Sequence, residues 1–309
     1  MRKLLFAAMS ALLAGTAHAE NIGITIARSD SAFLTILRQG MEDRAAKLDG
    51  VSAQVEDAQN DPSKQLDQVQ NFISSGVDAI VVVAVDGDGT PALTKMASAA
   101  GIPIVYANHP PADVDALPET AAFVGSNEVD SGTLETKEVC RLLGGKGAVY
   151  VLMGPLNNHS SLTRTKDIHD VIATDGCKGM SVIEEQSANW DRLEASNIMT
   201  NWLSTGREFD AVIANNDEMA IGAIQAMKAA GTGMSKVVVG GIDATPDGLA
   251  AMAAGDLDVT VFQNAIAQGA TAMDAAVALA REEKTERQIW VPFELVTPEN
   301  MKDYAKANQ

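Results

Sequence analysis

Short apolar runs alternate along this chain with segments whose apolar positions recur every three or four residues. Residues 22–27 predict a strand. Residues 33–48 predict a helix, because Phe33, Ile36, Leu37, Met41, Ala45 and Leu48 fall on one face at helical spacing. A second strand at 51–58 is followed by a helix at 64–75, entered near Asp61-Pro62. The runs 79–84 and 102–107 are apolar almost without a break, as in strands covered on both faces. Residues 121–125 complete this set. The pattern then restarts with a helix at 131–143, a strand at 148–153, a helix at 163–174, a strand at 180–185 and a helix at 192–204. Two more strands, Ala211-Val212-Ile213 and Val237-Val238-Val239, each run through a polar stretch into a helical pattern, and 257–262 is a last short strand. Repeated βα units of this length imply right-handed crossovers and doubly wound parallel sheets. No low-complexity linker divides the two sets. The expected fold is α/β, with two lobes around a crevice.

The chemistry sits where strands hand over to helices. Polar residues at the carboxyl ends of neighbouring parallel strands converge on one crevice. Asn216, in Ala214-Asn215-Asn216-Asp217-Glu218, and Asp243, in Gly241-Ile242-Asp243-Ala244-Thr245-Pro246, are therefore expected to face one ligand. One offers an amide and the other a carboxylate that only accepts, a pairing suited to a neutral, hydroxyl-rich molecule. Trp190 stands in a polar strand-to-helix loop of an aromatic-poor chain, and Phe33 at the first such junction. Both are expected to pack on the C–H faces of a sugar, with a place in the core as the alternative reading for each. His109 and His159 lie in loops at strand ends and are candidate ligand contacts. Gly87-Asp88-Gly89 resembles the start of a dinucleotide fingerprint, but Asp86 and Asp88 oppose a phosphate there and no acidic residue follows at the required distance. It reads as a turn. No metal-binding or nucleophile-elbow motif accompanies the histidines, so no enzymatic activity, catalytic residue, metal or cofactor is expected.

The amino terminus changes the setting. Met1-Arg2-Lys3, an apolar stretch and Ala17-His18-Ala19 have the order of a secretory signal peptide cleaved after Ala19. Export leaves 290 residues with 21 basic and 41 acidic side chains, a net charge of −20. Such a surface repels phosphate backbones and anionic headgroups, so neither nucleic acid nor membrane is expected as a partner. Cys140 and Cys177 are a candidate disulfide in an oxidising compartment. Two separate buried thiols are the alternative.

In order and spacing, Asn215-Asn216-Asp217-Glu218-Met219-Ala220, Asp243-Ala244-Thr245-Pro246-Asp247-Gly248 and Trp190-Asp191-Arg192 resemble the periplasmic sugar-binding proteins of ABC importers, the ribose and glucose/galactose type, over essentially the whole exported chain. The resemblance implies the periplasmic-binding-protein type I fold, with chain crossings near Ser126, Gln263 and Trp290. It divides the chain into one lobe of residues 20–125 plus 264–290 and a second of 126–263 plus 291–309. It implies that Phe33 and Trp190 sandwich the sugar ring, that Asn108, Arg164, Asn216, Asp243 and Gln263 hold its oxygens, and that Ser31 replaces a ligand-binding Asp or Asn. Leu34, His109 and Ala27 depart from the ribose pattern, and the calcium loop of the glucose/galactose proteins is absent. Residues 33–41, with Asn108-His109-Pro110-Pro111 and Met153-Gly154-Pro155, look more like the inositol-type members. The implied partners are a small neutral sugar or cyclitol and the membrane subunits of an ABC importer, with the protein acting as a monomer in the periplasm. The runner-up is a sensor presenting its bound ligand to a chemoreceptor or membrane kinase. A periplasmic carbohydrate-active enzyme is the least favoured alternative.

Overall fold

The structure, a computed structural model, describes residues 19–308. The proposed signal peptide therefore lies, up to His18, outside the described residues. The first βα series comprises β1 (Glu20–Ile26), α1 (Ala32–Lys47), β2 (Val51–Asp57), α2 (Pro62–Ser75), β3 (Ala79–Val82), α3 (Thr90–Ala100), β4 (Ile104–Ala107) and β5 (Ala121–Gly125). The second comprises α4 (Glu128–Leu143), β6 (Lys146–Met153), α5 (His159–Ile172), β7 (Gly179–Ser187), α6 (Arg192–Ser204), β8 (Ala211–Ala214), α7 (Asp217–Ala229), β9 (Val238–Gly240), α8 (Pro246–Ala253) and β10 (Thr260–Gln263). The chain ends with α9 (Ala265–Ala280), β11 (Gln288–Trp290), β12 (Phe293–Val296) and α10 (Met301–Tyr304).

Local signals set most boundaries. At the start of α2, Asp61 accepts from the backbone N–H groups of Ser63 and Lys64, and Pro62 occupies the first turn. Gly76, at φ 72°, ends that helix in the left-handed conformation. Asp191 caps α6 in the same way, accepting from Glu194 N–H at 2.8 Å.

Six parallel strands form one sheet in the order β2-β1-β3-β4-β5-β11. The second sheet runs β7-β6-β8-β9, also parallel. Bridges at Gly240–Val259 and Asp243–Phe262 continue it to β10, which pairs antiparallel with β12. The two orders are the same pattern repeated, and in both the direction of winding reverses beside the first strand of the set. That reversal opens a crevice at the carboxyl ends of the strands.

Each sheet has its own core. Ile22, Ile24, Leu37, Met41, Val81, Val105 and Met273 fill one, and Tyr150, Trp202, Val212, Met219 and Met227 fill the other. Tyr150 stacks on Trp202 with ring centroids 4.4 Å apart. Helices α1 and α9 touch backbone to backbone. A Cβ on Gly269 would lie 2.3 Å from the Leu37 carbonyl oxygen, so this contact requires glycine. A disulfide joins Cys140 on α4 to Cys177 before β7.

Several elements differ from the pattern read along the chain. The helix expected from 163 begins at His159, because Asn158 caps it by accepting from Ser161 N–H at 3.2 Å. His159 is therefore a helical residue and not part of a loop. The strand expected from 102 begins at Ile104, since Gly101 at φ 71° and Ile102 are still closing α3. Helix α3 itself follows the turn at 87–89, with Pro91 in its first turn. Helix α9 is hidden by composition: Ala-Ile-Ala-Gln-Gly-Ala-Thr-Ala-Met is apolar nearly all round, so it has little polar stripe to mark a period. The strands β11 and β12, of three and four residues, are too short for a periodic signal.

Candidate functional site

A cleft of about 770 Å³ opens at the carboxyl ends of the strands of both sheets. Ser31, Phe33, Asn108 and His109 line it from the first set of elements, and Arg164, Trp190, Asn216, Asp243 and Gln263 from the second. His159 is the correction. It stands exposed on α5, its Nε2 3.3 Å from Thr163 Oγ1, and it does not line the cleft. Its neighbours Asn158 and Ser160 do, because successive helical residues point about 100° apart and only some face inward.

Arg164 anchors the floor. Its guanidinium is buried, donating from Nε to Glu128 Oε2 at 2.7 Å, from Nη1 to the Asn215 carbonyl at 2.7 Å and from Nη2 towards Gln263 Oε1 at 3.5 Å. It also lies 5.5 Å from the centre of the Trp190 ring and 5.8 Å from that of Phe293. Burial pulls its pKa down, but the carboxylates of Glu128 and Asp243 more than offset this, so it is raised overall. Arg164 is a fixed cation.

Trp190 owes its place to backbone geometry. Its φ is 61°, and its indole lies on Gly154, where a Cβ would come within 2.3 Å of Cζ2. Any side chain at 154 would displace the ring. Phe33 is 7 % exposed and serves in both places at once, packing in the first core while lining the cleft.

The remaining groups present unspent hydrogen-bonding capacity. Asn216 caps α7 with Oδ1, which accepts from Met219 N–H at 3.0 Å, leaving the amide N–H groups for a ligand. The Ser31 hydroxyl accepts from Leu34 N–H at 3.4 Å and keeps its own proton to donate. Asn108, at φ 63°, donates to Gln268 Oε1 at 3.0 Å, and Gln268 in turn donates to Ser126. His109 Nδ1 lies 2.6 Å from the Ala84 carbonyl, which can only accept, so Nδ1 carries the hydrogen and Nε2 is left as an acceptor. Burial lowers the pKa of this ring and keeps it neutral.

Asp243 is the counterweight to Arg164. It is buried, at φ 125°, and burial raises its carboxyl pKa well above the ordinary value even though Arg164 opposes the shift. The turn that carries it is tied down by Asp217, which accepts from Thr245 N–H at 2.8 Å and from the hydroxyls of Thr245 and Thr260 at 3.1 and 2.7 Å. Among the described residues, Gln263 Nε2 and Ser160 Oγ are buried in the cleft wall with no hydrogen-bond partner. Each such group left unpaired costs about 1–3 kcal/mol. Hydroxyl groups, which both donate and accept, have the chemistry to pair with both atoms.

Ser160, Asn158, Asn189, Asp57, Gln59 and Asn60 also line the cleft, beyond the residues expected there. An internal echo marks part of this. Ala58-Gln59-Asn60-Asp61 and Ala188-Asn189-Trp190-Asp191 occupy equivalent loops of the two sheets, after β2 and β7. In each, two residues with positive φ precede an aspartate cap, at φ 55° and 56° in one and 54° and 61° in the other. Asn60 is thus the structural counterpart of Trp190.

Two parallel α/β sheets that share one polar, aromatic-walled cleft define a two-lobed solute-binding protein. Comparison with known proteins agrees: residues 22–284 match the family model for the periplasmic binding protein domain, and the chain belongs to that family. A provisionally named rhizopine-binding protein of Rhizobium meliloti is 58% identical over 309 residues, spanning 100% of both chains. A xylitol-binding protein of Mycolicibacterium smegmatis is 35% identical over 289 residues, covering 93% of this chain and 80% of its own. Among solved structures, an ABC transporter solute-binding protein of Bacillus halodurans with bound myo-inositol is similar, with a TM-score of 0.89 and 42% identity, over 96% of this chain and 100% of its own.

Proposed function

We propose that this protein captures a monosaccharide or cyclitol, an inositol-like polyol, by closing two hinged lobes over it, and delivers it to an ABC importer from the periplasm. The lobes comprise residues 20–125 plus 264–290 and 126–263 plus 291–309. The observation that carries the reading is the set of uncommitted polar groups in one cleft: the Asp243 carboxyl, the Asn216 amide, Gln263 Nε2 and Ser160 Oγ, beside the Trp190 indole. The bound myo-inositol of the Bacillus halodurans protein supports it.

The energetics are demanding. A monosaccharide or cyclitol has on the order of 12 heavy atoms, and micromolar affinity requires about −8 kcal/mol, or roughly −0.7 kcal/mol per atom. Nearly every hydroxyl must then exchange water for a protein partner, which one lobe cannot provide alone. Closure of the second lobe supplies the rest.

A thermal-shift panel of pentoses, hexoses, linear polyols and inositols tests this. The ligand stabilises the folded state by about 4 kcal/mol at a thousandfold excess over its Kd, a shift of several degrees. An inositol is expected to give the largest shift. A flat panel across all four classes would overturn the reading.

A further inference from the structure

We infer that Asn308 pins the chain crossing at Gln263–Ala265 and positions two cleft residues through their backbones. This rests on the assignment of Asp243 and Gln263 to the ligand, proposed above. After α10 the chain runs back towards the cleft and buries the Asn308 side chain, which is 2 % exposed. Both amide hydrogens are used: Nδ2 donates to the Asp243 carbonyl at 3.2 Å and to the Gln263 carbonyl at 2.9 Å. Oδ1 accepts from Ala265 N–H at 3.1 Å.

The three backbone groups belong to different parts of the molecule. Asp243 follows β9, and Gln263 ends β10, both in the second sheet's set. Ala265 is the first residue of α9, which packs on α1 and on β3 and β4 of the first. Its N–H has no acceptor within its own helix. The adjacent cap, Asn264, spends its Oδ1 on Ala267 N–H at 3.0 Å. Asn308 therefore caps a helix of one lobe with its oxygen while holding two carbonyls of the other with its nitrogen. Contact of Tyr304 with Phe262, ring centroids 5.0 Å apart, and its hydroxyl bond to Glu294 at 2.7 Å fix the tail that carries Asn308.

The site is specific for a neutral amide. Aspartate there keeps the acceptor for Ala265 but sets a carboxylate oxygen against two carbonyl oxygens. A merely space-filling role makes no such distinction, so the two halves of the amide can be tested separately.

The experiment compares wild type, Asn308→Ala and Asn308→Asp by residue-resolved amide hydrogen exchange of the apo protein and by calorimetric titration with myo-inositol. In Asn308→Ala, exchange at Ala265 should accelerate on the order of tenfold, and affinity should fall about tenfold, with the apo melting temperature within a few degrees of wild type. In Asn308→Asp, Ala265 should stay protected while affinity falls at least as far. Unchanged exchange at Ala265 in Asn308→Ala, or wild-type affinity in both variants, overturns the inference. A wild-type protein that takes up no myo-inositol counts against the polyol reading, and hydrogen exchange then decides the pin by itself.

Discussion

Replacing Arg164 by Met should abolish polyol binding and also lower stability by about 3–5 kcal/mol. The loss of binding follows from position. The guanidinium lines the cleft, lies over Trp190 and contacts Gln263. The loss of stability has a different origin. Glu128 is buried, and its carboxylate is bonded to Arg164 through both oxygens, at 2.7 and 3.3 Å. Without the cation, Glu128 is a buried charge with no counter-ion. Replacing Glu128 by Leu in the same chain should recover most of the stability without restoring binding, because a buried ion pair exchanged for packed apolar groups is close to neutral. Urea denaturation and titration of the single and double variants check both halves. A single variant as stable as wild type would contradict the assigned pairing.

Asp243→Asn should weaken polyol binding roughly 100-fold while leaving the apo fold intact or more stable. Asparagine keeps the volume and tolerates positive φ, but it exchanges one accepting oxygen for a donor. The lost acceptor, together with a donor set against ligand hydroxyls that are already donating, costs on the order of 3 kcal/mol, which corresponds to that factor. The stability half follows from burial, which already raises the carboxyl pKa well above its usual value. The folded state thus holds this proton more tightly than the unfolded chain. Its contribution to stability is full below the unfolded pKa and is lost as pH rises through the folded value. The Asn variant lacks that decline, so its apo stability relative to wild type should improve as pH rises. Titration at fixed pH and melting across pH measure the two effects. Unaltered affinity would remove Asp243 from the ligand's contacts.

Much of the fold and the cleft is legible in the order of residues alone. Asn216 and Asp243 follow apolar runs that fit parallel strands, and the strand-end rule brings such residues together whatever the details of packing. Trp190 is marked by its polar neighbours. Other features depend on distance in space. The Glu128–Arg164 pair joins residues 36 positions apart on two helices, and no pattern along the chain announces it. A place in a loop at a strand end points to His159, but α5 starts at that residue and not at 163, and it is the neighbouring Ser160 that faces the cleft. Helix α9 is nearly all apolar, so periodicity has little contrast to detect. Asn308 bonds to residues 43 and 65 positions away, and a lone asparagine near the end of a chain carries no signal of that kind.

Capture by closure requires the two sheets and their helices to move together around a small polyol. Small-angle X-ray scattering, with and without a saturating amount of the panel's best stabiliser, measures that motion directly. The radius of gyration should fall on ligand addition, in step with occupancy. A radius unchanged at saturation would mean that the cleft binds without closing, and would contradict the proposed capture.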